Sequence, residues 1–242
     1  MAIAADFFMV SLIESNYRVQ ELNSMRSNLA QYIESKAEVK DAKIGYVSIE
    51  EINHRVSSKI LKSAAEITKG LFLNKLSSDL NPEVVIGVPN RGKEFATALG
   101  LETGLPIGIS DRSEIKEGES REFRADYLEE DDMVVINGIP SFTQPGKFFT
   151  HKIRGLKPGS TVLVTDDFSA TGSVTEYYIK AFEQLGITPI FVYLVAKDFN
   201  DSHPPQQGYR KNKEKGLPVF AVVRLTKIED GHVKVTSEDI TV

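Results

Sequence analysis

The feature that most constrains the fold is a series of short, continuous apolar runs after Asn81-Pro82. The runs are residues 84–88, 106–109, 134–136, 162–165 and 190–195, and segments with helical spacing at 94–101 and 174–185 lie between them. Strands without polar alternation are buried on both faces, and strands joined through helices are parallel. The sequence therefore predicts an α/β fold with a doubly wound, mostly parallel sheet, closed by strands at 219–225 and 232–235.

The N-terminal part of the chain has a helical pattern instead. Apolar residues recur at helical spacing within residues 7–33, which predicts one or two amphipathic helices. Ser48 and Glu51 form an S-x-x-E pattern, which predicts the start of a further helix that continues to Leu76. The sequence thus predicts an N-terminal helical segment before the sheet.

Composition limits the classes of function. The chain of 242 residues has no cysteine, which excludes a disulfide framework and a cysteine nucleophile and favours a cytoplasmic location. Its net charge of −5 gives no support for binding nucleic acid, and the apolar residues 1–13 are too short to span a membrane. Because no repeat or linker is present, we predict a helical extension at 1–44 and one domain at 45–242, with the N-terminus packed or oligomeric.

Ligands of open α/β sheets bind outside the carboxyl ends of the strands, so the loops there hold the candidate site. Three of these loops stand out, at residues 89–92, 111–132 and 166–173. The second contains ten acidic and four basic residues, and a solvated loop is its simplest interpretation. The four histidines are scattered without the spacing of metal ligands, so no protein metal site is predicted.

The third loop combines two carboxylates with a phosphate site. Asp166 and Asp167 end an apolar strand, and a hydroxyl-rich turn with Gly172 opens a helix near Val174. A helix N-terminus binds phosphate, whereas adjacent carboxylates would repel it unless they face hydroxyl groups. The pattern therefore indicates a ribose 5-phosphate, with its vicinal hydroxyls on the carboxylates. The alternative is that the aspartates only cap the helix, or hold Mg²⁺ in an unrelated phosphate-binding fold.

Residues 162–173, VLVTDDFSATGS, resemble the phosphoribosyl pyrophosphate signature of type I phosphoribosyltransferases. The resemblance extends over residues 45–235, and it implies that family's fold with a small hood. The residues expected to bind phosphoribosyl pyrophosphate are Asn90, Arg91, Gly92, Asp166, Asp167, Phe168, Ser169, Ala170, Thr171, Gly172 and Ser173. Val174 departs from the signature, which usually ends in threonine there.

The first two loops also resemble parts of the family site. Arg91-Gly92 is similar to the pyrophosphate loop of the adenine enzymes, and residues 111–132 occupy the position of the flexible catalytic loop. Arg112 and Lys116 are the expected equivalents of its cationic residues. The resemblance thus implies that Arg112, Lys116, Asp166 and Asp167 are catalytic.

The resemblance also implies the cofactor and the partners. Mg²⁺ is expected, held by pyrophosphate, ribose and water, with no direct protein ligand. The expected partners are phosphoribosyl pyrophosphate, a purine base, pyrophosphate and a nucleoside monophosphate, and a homodimer is expected. Neither nucleic acid nor a membrane is an expected partner.

The base is indicated by the fifth signature residue, Ala170. Hypoxanthine-guanine enzymes place aspartate there, orotate enzymes usually threonine, and adenine and xanthine enzymes alanine. Asp-Asp-Phe-Ser-Ala is most similar to the bacterial xanthine enzymes and the related purine repressor. Asn53, Lys197 and Phe199 resemble base-binding residues of the xanthine enzymes, and the first two suit an oxopurine. Alternatively, Lys197 is a surface lysine, Asn53 bonds its own helix backbone, and Phe199 belongs to the core.

We therefore predict Mg²⁺-dependent purine salvage, with a xanthine-type oxopurine favoured and adenine next. Two other functions fit part of the pattern. A non-catalytic sensor of phosphoribosyl pyrophosphate would need a basic DNA-binding module, but residues 1–80 contain ten basic and ten acidic residues. An orotate or uracil enzyme is suggested by Arg112-x-Glu114-x-Lys116, but Ala170 argues against orotate. The insertion at 138–154, with three phenylalanines, has no counterpart in the family.

Overall fold

The computed structural model describes residues 2–77, 80–141, 144–199 and 206–236, with side chains from residue 16 onward. The helices are α1 (Ala2–Lys36), α2 (Glu50–Asn53), α3 (Ser58–Leu71), α4 (Gly92–Thr103), α5 (Ser173–Leu185) and α6 (Gly208–Glu214). The strands are β1 (Glu38–Asp41), β2 (Tyr46–Ser48), β3 (Val84–Gly87), β4 (Ile109–Glu114), β5 (Arg124–Leu128), β6 (Met133–Pro140), β7 (Phe148–Arg154), β8 (Thr161–Ser169), β9 (Thr188–Lys197), β10 (Val219–Glu229) and β11 (His232–Thr236). In the described part of the chain, no helix is long and apolar enough to cross a membrane.

The main sheet has the order β11-β10-β9-β8-β3. Strands β10, β9, β8 and β3 are parallel, and β11 is an antiparallel edge strand. From β3 the chain passes to Ile107, which forms a parallel bridge with Val85, and it later returns to β8 beside β3. The predicted doubly wound, mostly parallel sheet is confirmed. The order of the strands reverses between β3 and β8, which is where ligands bind in such sheets.

Both faces of the main sheet are covered. One face packs against α1, α3 and α4, and Leu22, Leu29 and Ile33 of α1 belong to its core. The other face packs against α5, through Tyr178 and Phe182, and against the antiparallel sheet described below. This coverage is the reason that the strands read as continuous apolar runs.

The N-terminal helices differ from the prediction in their boundaries. The predicted one or two amphipathic helices within residues 7–33 are a single helix, α1, which is longer at both ends. The single helix predicted to run from near Ser48 to Leu76 is wrong. The Ser48 hydroxyl donates to Asn53 Oδ1 (3.2 Å), and α2 begins after Ile49 without a side-chain cap. A separate helix then starts after Ser57, whose hydroxyl accepts from the backbone N–H of Ile60. The S-x-x-E pattern predicted the wrong helix start because the Ser48 hydroxyl bonds the side chain of Asn53, beyond the first turn that the pattern predicts.

The β1–β2 hairpin and α2 form the predicted hood above the carboxyl edge of the main sheet. The hairpin spans residue 44, where the chain was predicted to divide. The division into residues 1–44 and 45–242 stays a prediction.

A second sheet lies between β3 and β8 in the chain. It is antiparallel, with the order β4-β7-β6-β5. Residues 111–132 were predicted as one flexible loop, which is wrong for most of the segment, because β4 and β5 pair with β7 and β6. Only residues 115–123 connect the strands, and Asn137 Nδ2 donates to the carbonyls of Ser120 (3.0 Å) and Glu122 (3.1 Å) in this connection.

The insertion at 138–154 contributes to the same sheet. It supplies the end of β6 and the whole of β7, which lies between β4 and β6. Ile139 and Ile153 pack into the core beside α5. Phe142 lies outside the described residues. The insertion therefore forms one wall above the site.

Candidate active site

A cavity of about 430 Å³ opens at the carboxyl ends of β3 and β8, at the reversal point of the sheet. Loops of the main sheet, the antiparallel sheet and the hood each supply part of its wall. The lining residues are Tyr46, Val47, Asn53, Val88, Pro89, Asn90, Arg91, Arg112, Ile139, Pro140, Ser141, Phe149, His151, Asp166, Asp167, Phe168, Ser169, Ala170, Thr171, Gly172, Ser173, Val174, Thr175 and Lys197. The structure thus brings parts of all three predicted loops to one cavity.

Three residues that were predicted for the site do not line this cavity. Gly92 opens α4 behind the wall. Lys116 is exposed in the connection between β4 and β5, where its backbone N–H donates to the Glu119 carboxylate (2.7 Å). Phe199 is completely buried in the hydrophobic core, so its predicted contact with a base is replaced by the alternative core position.

Two adjacent carboxylates form the floor of the cavity. Burial raises the pKa of Asp166 well above its usual value, and the neighbouring Asp167 carboxylate raises it further. Burial also raises the pKa of Asp167, whose side chain is 14% exposed. Arg91 Nη1 lies 3.8 Å from Asp167 Oδ2 and partly offsets this rise. Two carboxylates beside a single nearby guanidinium suit a ligand that donates hydrogen bonds.

The turn after the carboxylates has the geometry of a phosphate site. Gly172 has φ +79°, and α5 begins at the next residue. Ser173 donates its backbone N–H to Thr171 Oγ1 (3.3 Å), and the Thr171 hydroxyl donates to Ser173 Oγ (3.1 Å). Thr171 and the first turn of α5 line the cavity, and the first turn of a helix offers backbone N–H groups that have no partner within the helix. The predicted order of a strand, a loop and a helix start is confirmed, but β8 continues to Ser169, so Asp166 and Asp167 lie within the strand and the loop is limited to residues 170–172.

A second helix, α6, supports this turn from behind. Gly208 donates its backbone N–H to the Ala170 carbonyl (2.9 Å). A Cβ atom on Gly208 would lie 2.3 Å from the Gly172 nitrogen, and one on Gly172 would lie 2.9 Å from Gly208 Cα. The two backbones are therefore in direct contact. The sequence analysis missed this contact, because it joins two glycines far apart in the chain.

Ion pairs and a buried polar network hold α6 in this place. The Arg210 guanidinium donates to Asp198 Oδ1 (3.0 Å), and Arg224 donates to Asp198 Oδ2 (3.0 Å). Asp198 directly follows β9 and is nearly buried. In a separate cluster, the Tyr193 hydroxyl bonds Asn212 of α6 (3.4 Å) and Thr175 of α5 (2.9 Å). These contacts join α6 to the main sheet and to α5.

The first loop is clamped onto β8 beside the carboxylates. Val88 donates its backbone N–H to the Thr165 carbonyl (2.8 Å), and the Thr165 hydroxyl lies within bonding distance of the carbonyls of Gly92 (2.8 Å) and Ile86 (3.2 Å). A Cβ atom on Gly92 would lie 2.3 Å from the Thr165 carbonyl oxygen. Gly92 is therefore required for the close approach that places Arg91 near Asp167. The Pro89-Asn90 peptide bond in this loop is cis.

Lys197 provides a buried cation on the hood side of the cavity. Its side chain is 5% exposed, and its Nζ donates to the Gly45 carbonyl (3.1 Å). The rings of Tyr46 and Phe168 lie 5.7 Å and 5.8 Å from Nζ. Burial lowers the pKa of Lys197 to about 8. The alternative of a surface lysine is wrong, and the aromatic residues beside Lys197 are Tyr46 and Phe168.

Asn53 lines the cavity, and its side chain also accepts hydrogen bonds within the hood. Its Oδ1 accepts from the backbone N–H of Ile49 (2.7 Å) as well as from the Ser48 hydroxyl. The alternative interpretation, in which Asn53 bonds its own helix backbone, therefore holds for the carbonyl oxygen. The role of Asn53 toward a base stays a prediction.

The antiparallel sheet supplies residues that the sequence analysis did not assign. Phe149 and His151 of β7 line the cavity, and the Arg112 guanidinium lies 4.6 Å from the Phe149 ring centre. Phe149 and His151 come from the insertion at 138–154, whereas Arg112 lies in β4. The alternation of side chains along β7 was the signal that could have placed Phe149 and His151 on one face.

Known proteins resemble this chain in sequence and in fold. The chain is 28% identical over 183 residues to a hypoxanthine/guanine phosphoribosyltransferase of Methanobacterium lacus, covering 74% of this chain and 79% of the relative. It is 32% identical over 130 residues to an adenine phosphoribosyltransferase of Shewanella loihica, covering 51% of this chain and 60% of the relative. The adenine phosphoribosyltransferase structure from Leishmania tarentolae has a TM-score of 0.52 at 14% identity, covering 82% of this chain and 87% of that chain.

No protein-family model matches the chain. The signature loop, the fold and the sequence relatives carry the assignment, and they agree with one another. Together they make the chain similar to the type I phosphoribosyltransferases in its signature loop, its fold and its sequence relatives.

Proposed function

We propose that this protein transfers a phosphoribosyl group between phosphoribosyl pyrophosphate and a purine base, with release of pyrophosphate. One observation carries the proposal. Asp166 and Asp167 lie beside the phosphate turn of α5 in the cavity that also receives Arg91. The names of the relatives, which specify hypoxanthine/guanine and adenine, support a purine as the acceptor.

Different cavity residues bind different parts of the substrate. Displacement at C1 develops positive charge on the ribose and negative charge on the leaving pyrophosphate. Asp166 and Asp167 accept hydrogen bonds from the ribose hydroxyls, and the turn at 171–173 binds the 5-phosphate. Arg91 and Arg112 face the same cavity as cations for the pyrophosphate. Lys116 joins them only if the connection at 115–123 closes over the ligand.

The cavity fits Mg²⁺ carried by the substrate. Asp166 and Asp167 would contact the ribose, and Mg²⁺ would be held by pyrophosphate, ribose and water beside these two adjacent carboxylates, which favour a nearby cation. Burial raises the pKa of both carboxyl groups, and a cation brought in with the substrate would favour their charged forms. Bound with pyrophosphate, Mg²⁺ supplies positive charge at the leaving group.

The hood side favours an oxopurine. A protonated Lys197 donates hydrogen bonds and accepts none, so it suits the carbonyl oxygen of an oxopurine better than the amino group of adenine. The neighbouring rings of Tyr46 and Phe168 offer apolar surface for a planar base. We therefore propose a xanthine-type oxopurine as the preferred substrate, with adenine next, in purine salvage.

A panel of bases tests the reaction. Release of pyrophosphate from phosphoribosyl pyrophosphate and Mg²⁺ is measured with adenine, guanine, hypoxanthine, xanthine, orotate and uracil. We expect turnover with purines and the highest kcat/KM with an oxopurine. Binding of phosphoribosyl pyrophosphate without turnover of any base would instead indicate the non-catalytic sensor.

The pH dependence of base binding tests the role of Lys197. Because the pKa of Lys197 is lowered to about 8, the ammonium loses its proton as the pH rises through that value. We expect KM for the oxopurine to rise above this pH, while KM for adenine changes less. Replacement of Lys197 by Met should remove the difference between the bases. An unchanged KM profile in Lys197→Met would contradict the assignment.

We also propose a homodimer. Leu101, Ile107 and Ile109 are exposed large apolar residues, and Ile107 packs beside Gly100, next to Leu101. Exposed apolar surface of this kind is typical of a contact between subunits. Light scattering at micromolar concentration should give the mass of a dimer, and a monomer would contradict the proposal. A cytoplasmic location stays a prediction from the absence of cysteine.

A further inference from the structure

His151 is a cavity residue that the proposed reaction does not yet use. It lies in β7 directly across from Arg112 in β4, so both side chains are on the same face of the antiparallel sheet. It is 3% exposed, and it lines the cavity together with Arg112 and Phe149. The same cavity has Asp166 and the phosphate turn in its wall.

The imidazole is held in one orientation from behind. His151 Nδ1 lies 3.0 Å from the Tyr178 hydroxyl, and the two rings meet edge to face at 5.8 Å. Tyr178 is completely buried in α5, and burial raises the pKa of its hydroxyl, so the phenol keeps its proton. Among the described residues, His151 Nδ1 is the atom that accepts a hydrogen bond from the Tyr178 hydroxyl.

The protonation state of the imidazole follows from its surroundings. Burial, and secondly the Arg112 cation, lower the pKa of His151 to about 4, so the ring is neutral near pH 7. A neutral imidazole that accepts at Nδ1 carries its proton on Nε2. His151 therefore offers the cavity one N–H donor, next to a guanidinium stacked on Phe149.

We propose that His151 binds an oxygen of the pyrophosphate group through Nε2–H, as the partner of Arg112. The inference rests on the proposed function. It adds a binding residue that arises from the insertion at 138–154. The ligand chemistry is a phosphate oxygen, and the pairing with Arg112 assigns it to the pyrophosphate and not to the 5-phosphate in the turn of α5.

Direct binding to the full-length protein tests the proposal. Calorimetry measures the affinities of Mg²⁺-pyrophosphate and of ribose 5-phosphate for wild type, His151→Phe and His151→Gln. A hydrogen bond to a charged group accounts for roughly ten- to a hundredfold in affinity. We expect His151→Phe to weaken pyrophosphate binding by about tenfold or more and to leave ribose 5-phosphate within about twofold. His151→Gln, which keeps a donor, should recover part of the loss.

Two controls separate binding from folding. His232→Phe makes the same substitution at an exposed histidine of β11 and should change neither affinity. Nitrogen NMR of the ligand-free protein should show His151 as the neutral Nε2–H tautomer at pH 7. The Nδ1–H tautomer, unchanged pyrophosphate binding in His151→Phe, or an equal loss of both ligands without recovery in His151→Gln would overturn the proposal. Wild-type protein that binds neither ligand would contradict the proposed function as well.

Discussion

Replacement of either Asp166 or Asp167 by Asn should lower turnover by about one to two orders of magnitude. The reason is that each carboxylate accepts charge-assisted hydrogen bonds from the ribose hydroxyls, worth roughly 1.5 to 3 kcal/mol each. The amide keeps the shape of the side chain but accepts more weakly. Pyrophosphate release at saturating base measures the effect. Asp126→Asn, at a surface ion pair with Arg124, is the control and should keep full activity.

The same variants should keep their fold. The pKa values of both carboxylates are raised by burial, so their charged forms are disfavoured in the ligand-free protein. Removing a charge there should leave the melting temperature unchanged or higher. The alternative that the aspartates cap α5 is wrong, because the N-cap of α5 is Gly172 and makes no side-chain hydrogen bond. If the two side chains only accepted the backbone N–H groups of Asp167 and Phe168, the double variant would lose about 1 kcal/mol and keep its activity. An active, less stable double variant would therefore exclude the ribose contact.

The sign of the pH dependence follows from these shifts. A raised pKa means that the folded protein binds more protons than the unfolded chain between the usual value of 3.8 and the raised one. The contribution of Asp166 and Asp167 to stability therefore falls as the pH rises through this window. Denaturant titrations at several pH values should show this slope in wild type and a smaller slope in the double Asn variant.

Replacement of Gly172 by Ala should damage the phosphate site more than the same change at Gly186. The two glycines flank α5, with φ +79° and +65°, so alanine is strained at both by about 1 kcal/mol or more. At Gly186 the new Cβ atom meets nothing within 4 Å, whereas at Gly172 it lies 2.9 Å from Gly208 Cα. The extra crowding at Gly172 should cost a further 1 to 3 kcal/mol or so.

Because the crowding acts on the phosphate turn, Gly172→Ala should also raise KM for phosphoribosyl pyrophosphate, by about tenfold or more. Gly186→Ala should leave that KM unchanged. Thermal melting and steady-state kinetics on the same preparations measure both effects. Equal losses of stability with equal KM values in the two variants would show that the contact with α6 does not position the turn.

The loop at 166–173 could be predicted from the sequence because its constraints are local. An apolar strand, two carboxylates and a glycine before a helix fix its conformation within a dozen residues. Lys197, which was expected at the site from the resemblance to the xanthine enzymes, also lines the cavity, because it ends a strand whose carboxyl edge meets it. Its role toward a base stays a prediction.

The errors arose where distant segments decide the structure. Phe199 follows the same strand as Lys197, but it packs against Gly45 of the hood, a contact that no local pattern encodes. Residues 111–132 look like a solvated loop until β7 and β6 pair with them. His151 could not be assigned from its isolated position in the sequence, because its role depends on Arg112 and Tyr178 in two other elements.

The ion pair of Asp198 with Arg210 has a consequence for engineering base selectivity. Lys197 lines the cavity on the hood side, where we propose that the base binds, and the adjacent Asp198 anchors α6, which contacts the phosphate turn through Gly208. A substitution at position 197 that shifts the backbone would therefore disturb the two subsites together. Mutant libraries aimed at a new base would do better to vary Tyr46 and Phe168 first, and to vary Lys197 only in combination with compensating changes in α6.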